Sequence, residues 1–270
     1  ILFGNIYVAL GAVCLIQSSV IQLQLSDGLI SYSFLVFFAT LFVYNFQRIF
    51  YKKQGTAQNS VRRTWISKHQ TVLKILALIG LTGVAITFFL NDPQIVVYLS
   101  PLFVLCLFYF LPFVQLRKNP WLKLFTLVAV WTVVTAVVPL LLNHTELNIN
   151  SLLHIAVRFW FMMAICIPFD IRDLHVDKSD AVITIPHLIG ENKARWIAVS
   201  CMLIYGILII PEYTQDLIDG KIFTALMLSA LINTLIVFMS NTKRSEYFYV
   251  AGIDGTMLLQ GISVMLANSL

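Results

Sequence analysis

The chain has 270 residues, 59% of them hydrophobic and only 11% charged, with 18 Lys and Arg against 13 Asp and Glu and a formal net charge of +5. A soluble domain carries roughly 25% charge, so this composition, with a mean hydropathy of +0.85, excludes a water-soluble globule, a disordered chain and a coiled coil. The apolar runs are long and continuous rather than alternating over about ten residues, which excludes an outer-membrane barrel. What remains is an all-α, polytopic bundle of membrane-spanning helices, one domain over residues 1–270.

A helix needs about 20 apolar residues to cross about 30 Å of hydrocarbon. Nine segments qualify: 1–24, 28–50, 71–91, 95–114, 121–143, 151–170, 193–211, 221–240 and 247–268. The first has no basic flank and no small-residue cleavage site, so it reads as a span rather than a secretory signal. The fourth is the least regular, with Pro101 and Pro112 in or near its end. Cys14, Cys106, Cys166 and Cys201 are scattered through apolar runs without CxxC spacing and read as small core residues. The links alternate in charge. Sixteen of the 18 basic residues fall in or beside the links on one side, while Lys221 stands alone on the other. The positive-inside rule puts the basic side and the N-terminus in the cytoplasm and the C-terminus outside. The rule also accounts for the net charge without a nucleic-acid partner.

Two cytoplasmic links, 51–70 and 171–192, take about twenty residues each where a helix hairpin needs about 2–8. The first follows Asn45, Arg48 and Lys52, which share one helix face at i, i+3, i+7, and carries Arg62, Arg63 and Lys68. No Asp or Glu occurs from Gly28 to Asn91. The region suits either an anion cradle for phosphate or attraction to anionic lipid headgroups. The second has the opposite chemistry. Asp170, Asp173 and Asp177 repeat the i, i+3, i+7 spacing and on a helix share one face. Three carboxylates so placed repel, and a divalent cation relieves the conflict. Mg²⁺ suits such hard oxygen donors and completes its shell with water and phosphate. The alternative is a solvated helix end with Arg172 and Lys178 as local partners. Pro168 either bends the helix toward the bundle mouth or ends it.

Inside the spans, Arg158 lies mid-helix one turn after His154, and Asp254 lies about seven residues into the last span. Intramembrane ionisable residues are expensive and often functional. A pair between Arg158 and Asp254 is expected, with a structural lock, a pocket role and solute transport as its readings.

The stretch Phe169-Asp170-Ile171-Arg172-Asp173-Leu174-His175-Val176-Asp177-Lys178, followed by Ile183-Thr184-Ile185-Pro186-His187-Leu188-Ile189-Gly190, resembles the second aspartate-rich motif of the UbiA superfamily of intramembrane prenyltransferases and its trailing T-L-P segment. Tyr109-Phe110-Leu111-Pro112 with Gln115-Leu116-Arg117-Lys118 is similar to that family's end of span four. The resemblance implies a nine-helix bundle and Mg²⁺-dependent ionisation of a polyprenyl diphosphate. It further implies transfer of the prenyl group to a hydrophobic acceptor, often aromatic. By position, Asp170, Asp173 and Asp177 would bind Mg²⁺-diphosphate as the catalytic set, Arg117 and Lys118 would face the diphosphate, and Tyr109 would line the pocket. The first motif of the family departs. Asn45 keeps its asparagine, but Phe46, Ile49 and Lys53 stand where carboxylates are usual. Asn45, Arg48, Lys52, Arg62, Arg63 and Lys68 would then bind the diphosphate directly. The rivals to a prenyltransferase are a non-catalytic protein that holds an isoprenoid phosphate and a small-solute transporter, the latter disfavoured by the absence of an inverted repeat.

Overall fold

The structure, a computed structural model, describes residues 2–26, 28–50, 61–110, 119–174 and 183–270; of residues 50, 61–63 and 107–110 only the backbone is described. Its elements are α1 (Ile6–Gln22), α2 (Ile30–Phe50), α3 (Val61–Lys68), α4 (Gln70–Phe88), α5 (Ile95–Phe110), α6 (Pro120–Leu142), α7 (Ile149–Arg172), α8 (Ile185–Ile189), α9 (Glu191–Thr214), α10 (Gly220–Phe238) and α11 (Phe248–Ser269). No strand occurs among the described residues.

Among the described residues, seven helices are long and apolar enough to cross a membrane: α2, α4, α6, α7, α9, α10 and α11. The expected first and fourth spans form shorter apolar helices, α1 and Ile95–Cys106 within α5. The chain is thus a multi-pass helical bundle, with seven helices of spanning length among the described residues where the sequence reading expected nine. Link 51–70 also differs from the expectation, because α3 occupies its second half. Arg62, Arg63 and Lys68 therefore lie on a helix rather than in a loop. Its Trp65 stacks on His69 at 4.5 Å and meets Phe3 at 5.7 Å, which suits a short interfacial helix. The sequence lacked the apolar run that betrays a span.

Polar caps set the helix starts. Asn119 accepts from the backbone of Trp121 and Leu122, with Pro120 at the first helical position. Asn148 and Ser151 form a reciprocal capping box for α7, and Asp219 caps α10. Pro168 does not end α7, which runs on to Arg172.

Packing follows the order α4, α2, α1, α11, α10, α9, α7, α6, α5, with α1 also touching the middle of α6. Small residues allow the closest approaches. A Cβ at Gly80 of α4 would lie 2.6 Å from the backbone nitrogen of Phe42 in α2, and one at Gly261 of α11 would lie 2.4 Å from the carbonyl oxygen of Cys14 in α1. Such contacts hold helices together where burial from water supplies no drive.

Two helices contain a wide π turn, Val133–Val137 in α6 and Phe248–Ile253 in α11. A π turn disturbs the ordinary i−4 ladder, and side chains from other helices donate to carbonyls there. Tyr32 donates to Val134 at 2.7 Å, Ser19 to Thr135 at 2.6 Å and Tyr7 to Ala251 at 3.2 Å.

Candidate functional site

The acidic turn lies at the end of α7. Asp170 is 6% exposed, and one of its carboxylate oxygens accepts from Lys123 Nζ of α6 at 2.7 Å. One turn on, Asp173 terminates the helix and takes a two-pronged contact from Arg172, with Nε at 2.9 Å and Nη2 at 2.8 Å. Arg172 lies against two adjoining rings, 5.0 Å from the centroid of Phe169 and 5.7 Å from that of Tyr249, which are themselves 6.2 Å apart. Its Nη1 lies 4.0 Å from Glu246. Lys123, counted in the sequence only as part of a basic link, and Glu246 and Tyr249, which carried no motif, are thus part of the site. Lys123 sits three residues after Pro120, just inside a helix start at the charged end. That register was the signal that could have found it.

The cationic side lies at the same end. Arg48 donates to the carbonyl of Phe3. The Phe3 ring lies 5.5 Å from the ring of Tyr247, which adjoins Glu246 beside Arg172. Arg48 is thus separated from Asp173 by Phe3, Tyr247, Glu246 and Arg172. Asn45, fully buried, is committed to the start of α1. Its amide donates to the carbonyls of Gly4 at 3.0 Å and Leu41 at 2.7 Å, and its oxygen accepts from Asn5 at 3.0 Å. Asn5, with the left-handed φ of 63° just before α1, was missed by sequence reading because a lone asparagine outside any motif gives no signal. Phe46, at the first position where the resemblance expects a carboxylate, is 43% exposed and rests on Phe42. Lys68 is exposed. Arg62, Arg63 and Tyr109 are placed on α3 and α5 by backbone alone, and Lys52, Lys53, Arg117, Lys118 and Asp177 lie outside the described residues.

After the acidic turn, Thr184 and His187 cap α8 reciprocally, and Gly190 at φ 86° turns the chain into α9. A side chain at Gly190 would be strained in that conformation.

Among the described residues no three His, Cys, Asp or Glu side chains gather as a metal group. Asp170 and Asp173 are nevertheless hard oxygen donors one turn apart, the kind of pair Mg²⁺ uses when phosphate completes its shell. Their chemistry fits that ion, which would share them with Lys123 and Arg172.

The expected pairing of Arg158 with Asp254 does not form. Arg158 lies 14 residues before the end of α7 at Arg172, and Asp254 six residues after the start of α11 at Phe248. At about 1.5 Å per residue these are depths of about 21 and 9 Å from the charged end. Asp254 is close enough to act on Tyr7, Cys166 and Arg172, whereas the acid acting on Arg158 is Glu212. Glu212 stood near the end of a predicted span and drew no attention. Arg158 Nη2 donates to the carbonyl of Leu15 and to Ser19 Oγ, both at 3.1 Å. His154 Nε2 meets the same hydroxyl at 3.0 Å.

Solved structures share this fold. A UbiA homologue from Archaeoglobus fulgidus bound to GPP and Mg²⁺ aligns with a TM-score of 0.60 at 13% identity, covering 100% of this chain and 96% of that one. The same homologue bound to DMAPP and Mg²⁺ aligns with a TM-score of 0.56 at 14% identity, again covering 100% and 96%. A digeranylgeranylglyceryl phosphate synthase aligns with a TM-score of 0.57 at 13% identity over 98% of this chain and 95% of that one. No family model matches the sequence, and no curated protein matches it. The likeness is therefore one of fold, and the chain has the UbiA fold from end to end.

Proposed function

We propose that this protein is a divergent UbiA-type intramembrane prenyltransferase. It would take a polyprenyl diphosphate and Mg²⁺ and deliver the prenyl group to a hydrophobic acceptor, aromatic or lipidic. The observation that carries this reading is the acidic turn Asp170–Asp173, set beside Lys123 and Arg172 at one end of a bundle whose fold is that of homologues holding GPP or DMAPP with Mg²⁺. On the positive-inside argument this end faces the cytoplasm.

Asp170 and Asp173, with Asp177, would hold Mg²⁺, which supplies neutralising charge to the diphosphate. Lys123 and Arg172 are already on the two acids and would turn toward phosphate oxygens as a substrate arrives. Arg48, Lys52, Arg62, Arg63, Lys68, Arg117 and Lys118 would add positive field for the leaving group, taking over work that first-motif carboxylates do through metal. Asn45 would act by holding the start of α1 against α2, next to Arg48. Breaking the C1–O bond releases pyrophosphate and leaves an allylic cation, which Phe169 and Tyr249 would face as aromatic walls that exclude water; Tyr109 is proposed as a pocket residue from the resemblance alone. The acceptor forms the new bond to C1 and gives up a proton.

The test is pyrophosphate release from purified protein with prenyl diphosphates of several lengths, Mg²⁺ and candidate acceptors. Mg²⁺-dependent release that disappears in Asp173→Asn supports the enzyme. The second reading, a protein that holds an isoprenoid phosphate without reacting it, draws on the apolar Phe46 and Ile49 in the first motif. Diphosphate binding without release at every length would establish it instead.

A further inference from the structure

At the end of the bundle opposite Asp170, a second group of ionisable side chains lies outside the prenyl-transfer chemistry. Arg158 is 1% exposed, His154 2%, Glu212 3% and Tyr205 0%. Arg158 and His154 meet at Ser19, which receives from Arg158, contacts His154 and donates to Thr135. Nη2 of Arg158 already has two acceptors, Leu15 and Ser19, and this nitrogen belongs to both two-pronged edges of the guanidinium. Neither edge is therefore open to a carboxylate or phosphate.

Four buried atoms in this group have no hydrogen-bond partner, Arg158 Nε and Nη1, His154 Nδ1 and Glu212 Oε2, while Tyr205 Oη has the Ser229 side chain beside it. His154 Nδ1 lies 3.4 Å from Glu212 Oε1 but is not aligned for a hydrogen bond. Arg158 and Glu212 feel each other's charge yet form no ion pair among the described residues. Four dry polar atoms would consume a large part of an ordinary domain's stability. The set mixes donors with acceptors and a positive charge with a negative one, so its complement is water rather than an anion.

A separate observation bears on access. A cavity of about 310 Å³ opens between the start of α7 and the end of α9, lined by Ile149, Asn150, Leu152, Leu153, Pro211 and Gln215. Its walls flank His154 and Glu212 in sequence. On the other side of the group, residues 161–167 of α7 are all buried and apolar, from Phe161 to Ile167.

We propose that Arg158, His154, Tyr205 and Glu212 form an internal water site, filled through this cavity from the end opposite Asp170. Water links the guanidinium to the carboxylate, and the Phe161–Ile167 layer keeps the site apart from the Asp170 end. Thiol labelling in lipid vesicles tests this, using the full chain with Cys14, Cys106 and Cys201 replaced by alanine. Cys166 remains as the probe of the apolar layer, and Ser19→Cys, nearly isosteric, probes the water site. With the small hydrophilic reagent methanethiosulfonate ethylammonium, read by mass spectrometry, the Ser19→Cys thiol should react at least about tenfold faster than Cys166. Gln215→Cys, in the cavity wall, should react faster still. If Ser19→Cys reacts no faster than Cys166 while Gln215→Cys labels, the water site is overturned. If Cys166 reacts as fast as Gln215→Cys, the separation is overturned. Should Ser19→Cys fail to fold, Glu212→Cys takes its place under the same two criteria. None of these outcomes depends on prenyl transfer.

Discussion

At the Asp170 end opposite charges touch: Lys123 lies 2.7 Å from Asp170 and Arg172 grips Asp173 with two nitrogens. At the Arg158 end they do not, and Glu212 is closer to His154 than to any cation among the described residues. Contact pairs near a helix end can be opened by a ligand that brings its own charges. A buried pair held apart has no such exchange available and depends on what fills the gap. The first arrangement suits a binding site, and the second suits a fixed, hydrated part of the frame.

The comparison breaks most visibly at Lys123. Lys123→Ala removes the ammonium that lies 2.7 Å from the buried Asp170 carboxylate and should lower stability by about 3 kcal/mol, measured by thermal unfolding in detergent. The double variant Lys123→Met with Asp170→Leu should recover most of that loss while abolishing diphosphate binding. A recovery that kept binding would remove Asp170 from the site. Next in size, Asp170→Asn should reduce Mg²⁺-dependent pyrophosphate release about 100-fold, whereas Glu212→Gln should leave release within a few-fold of the parent and act on stability alone. Equal losses from the two changes would erase the distinction between the ends.

A smaller effect probes the frame between them. Gly80→Leu forces a side chain into the backbone of α2 at Phe42 and should destabilise by about 1–3 kcal/mol, read as a lower unfolding temperature. Smallest is Tyr32→Phe, which leaves the carbonyl of Val134 without its donor. It should cost about 1 kcal/mol by the same measurement.

The spans and the acidic turn were legible because apolar length and i, i+3 spacing are local properties of the chain. The ion pair of Asp170 with Lys123 was not, since it joins residues 47 apart and depends on how α6 is rotated against α7. The charge of Arg158 inside a span was visible in the sequence, but Glu212 was not matched to it: Asp254 and Glu212 both lie in apolar stretches, and only the relative depths of α7, α9 and α11 distinguish them. The helix α3 escaped notice because its residues carry charge and one tryptophan rather than a long apolar run. The commitment of Asn45 to Gly4 and Asn5 was hidden for a different reason. A motif asparagine looks the same whether it meets a ligand or clasps a neighbouring backbone.

The π turn at Val133–Val137 acts as a shim on a threaded rod. An α-helix advances about 100° of azimuth per residue, so one surplus residue in the middle of α6 resets the facing of everything on one side of it relative to the other. Lys123 lies before that turn, while Thr135, which receives the Ser19 hydroxyl, lies within it. Removing one residue there would restore a regular screw and swing either Lys123 away from Asp170 or the Thr135 carbonyl away from Ser19, so that both ends of the protein could not be aligned at once.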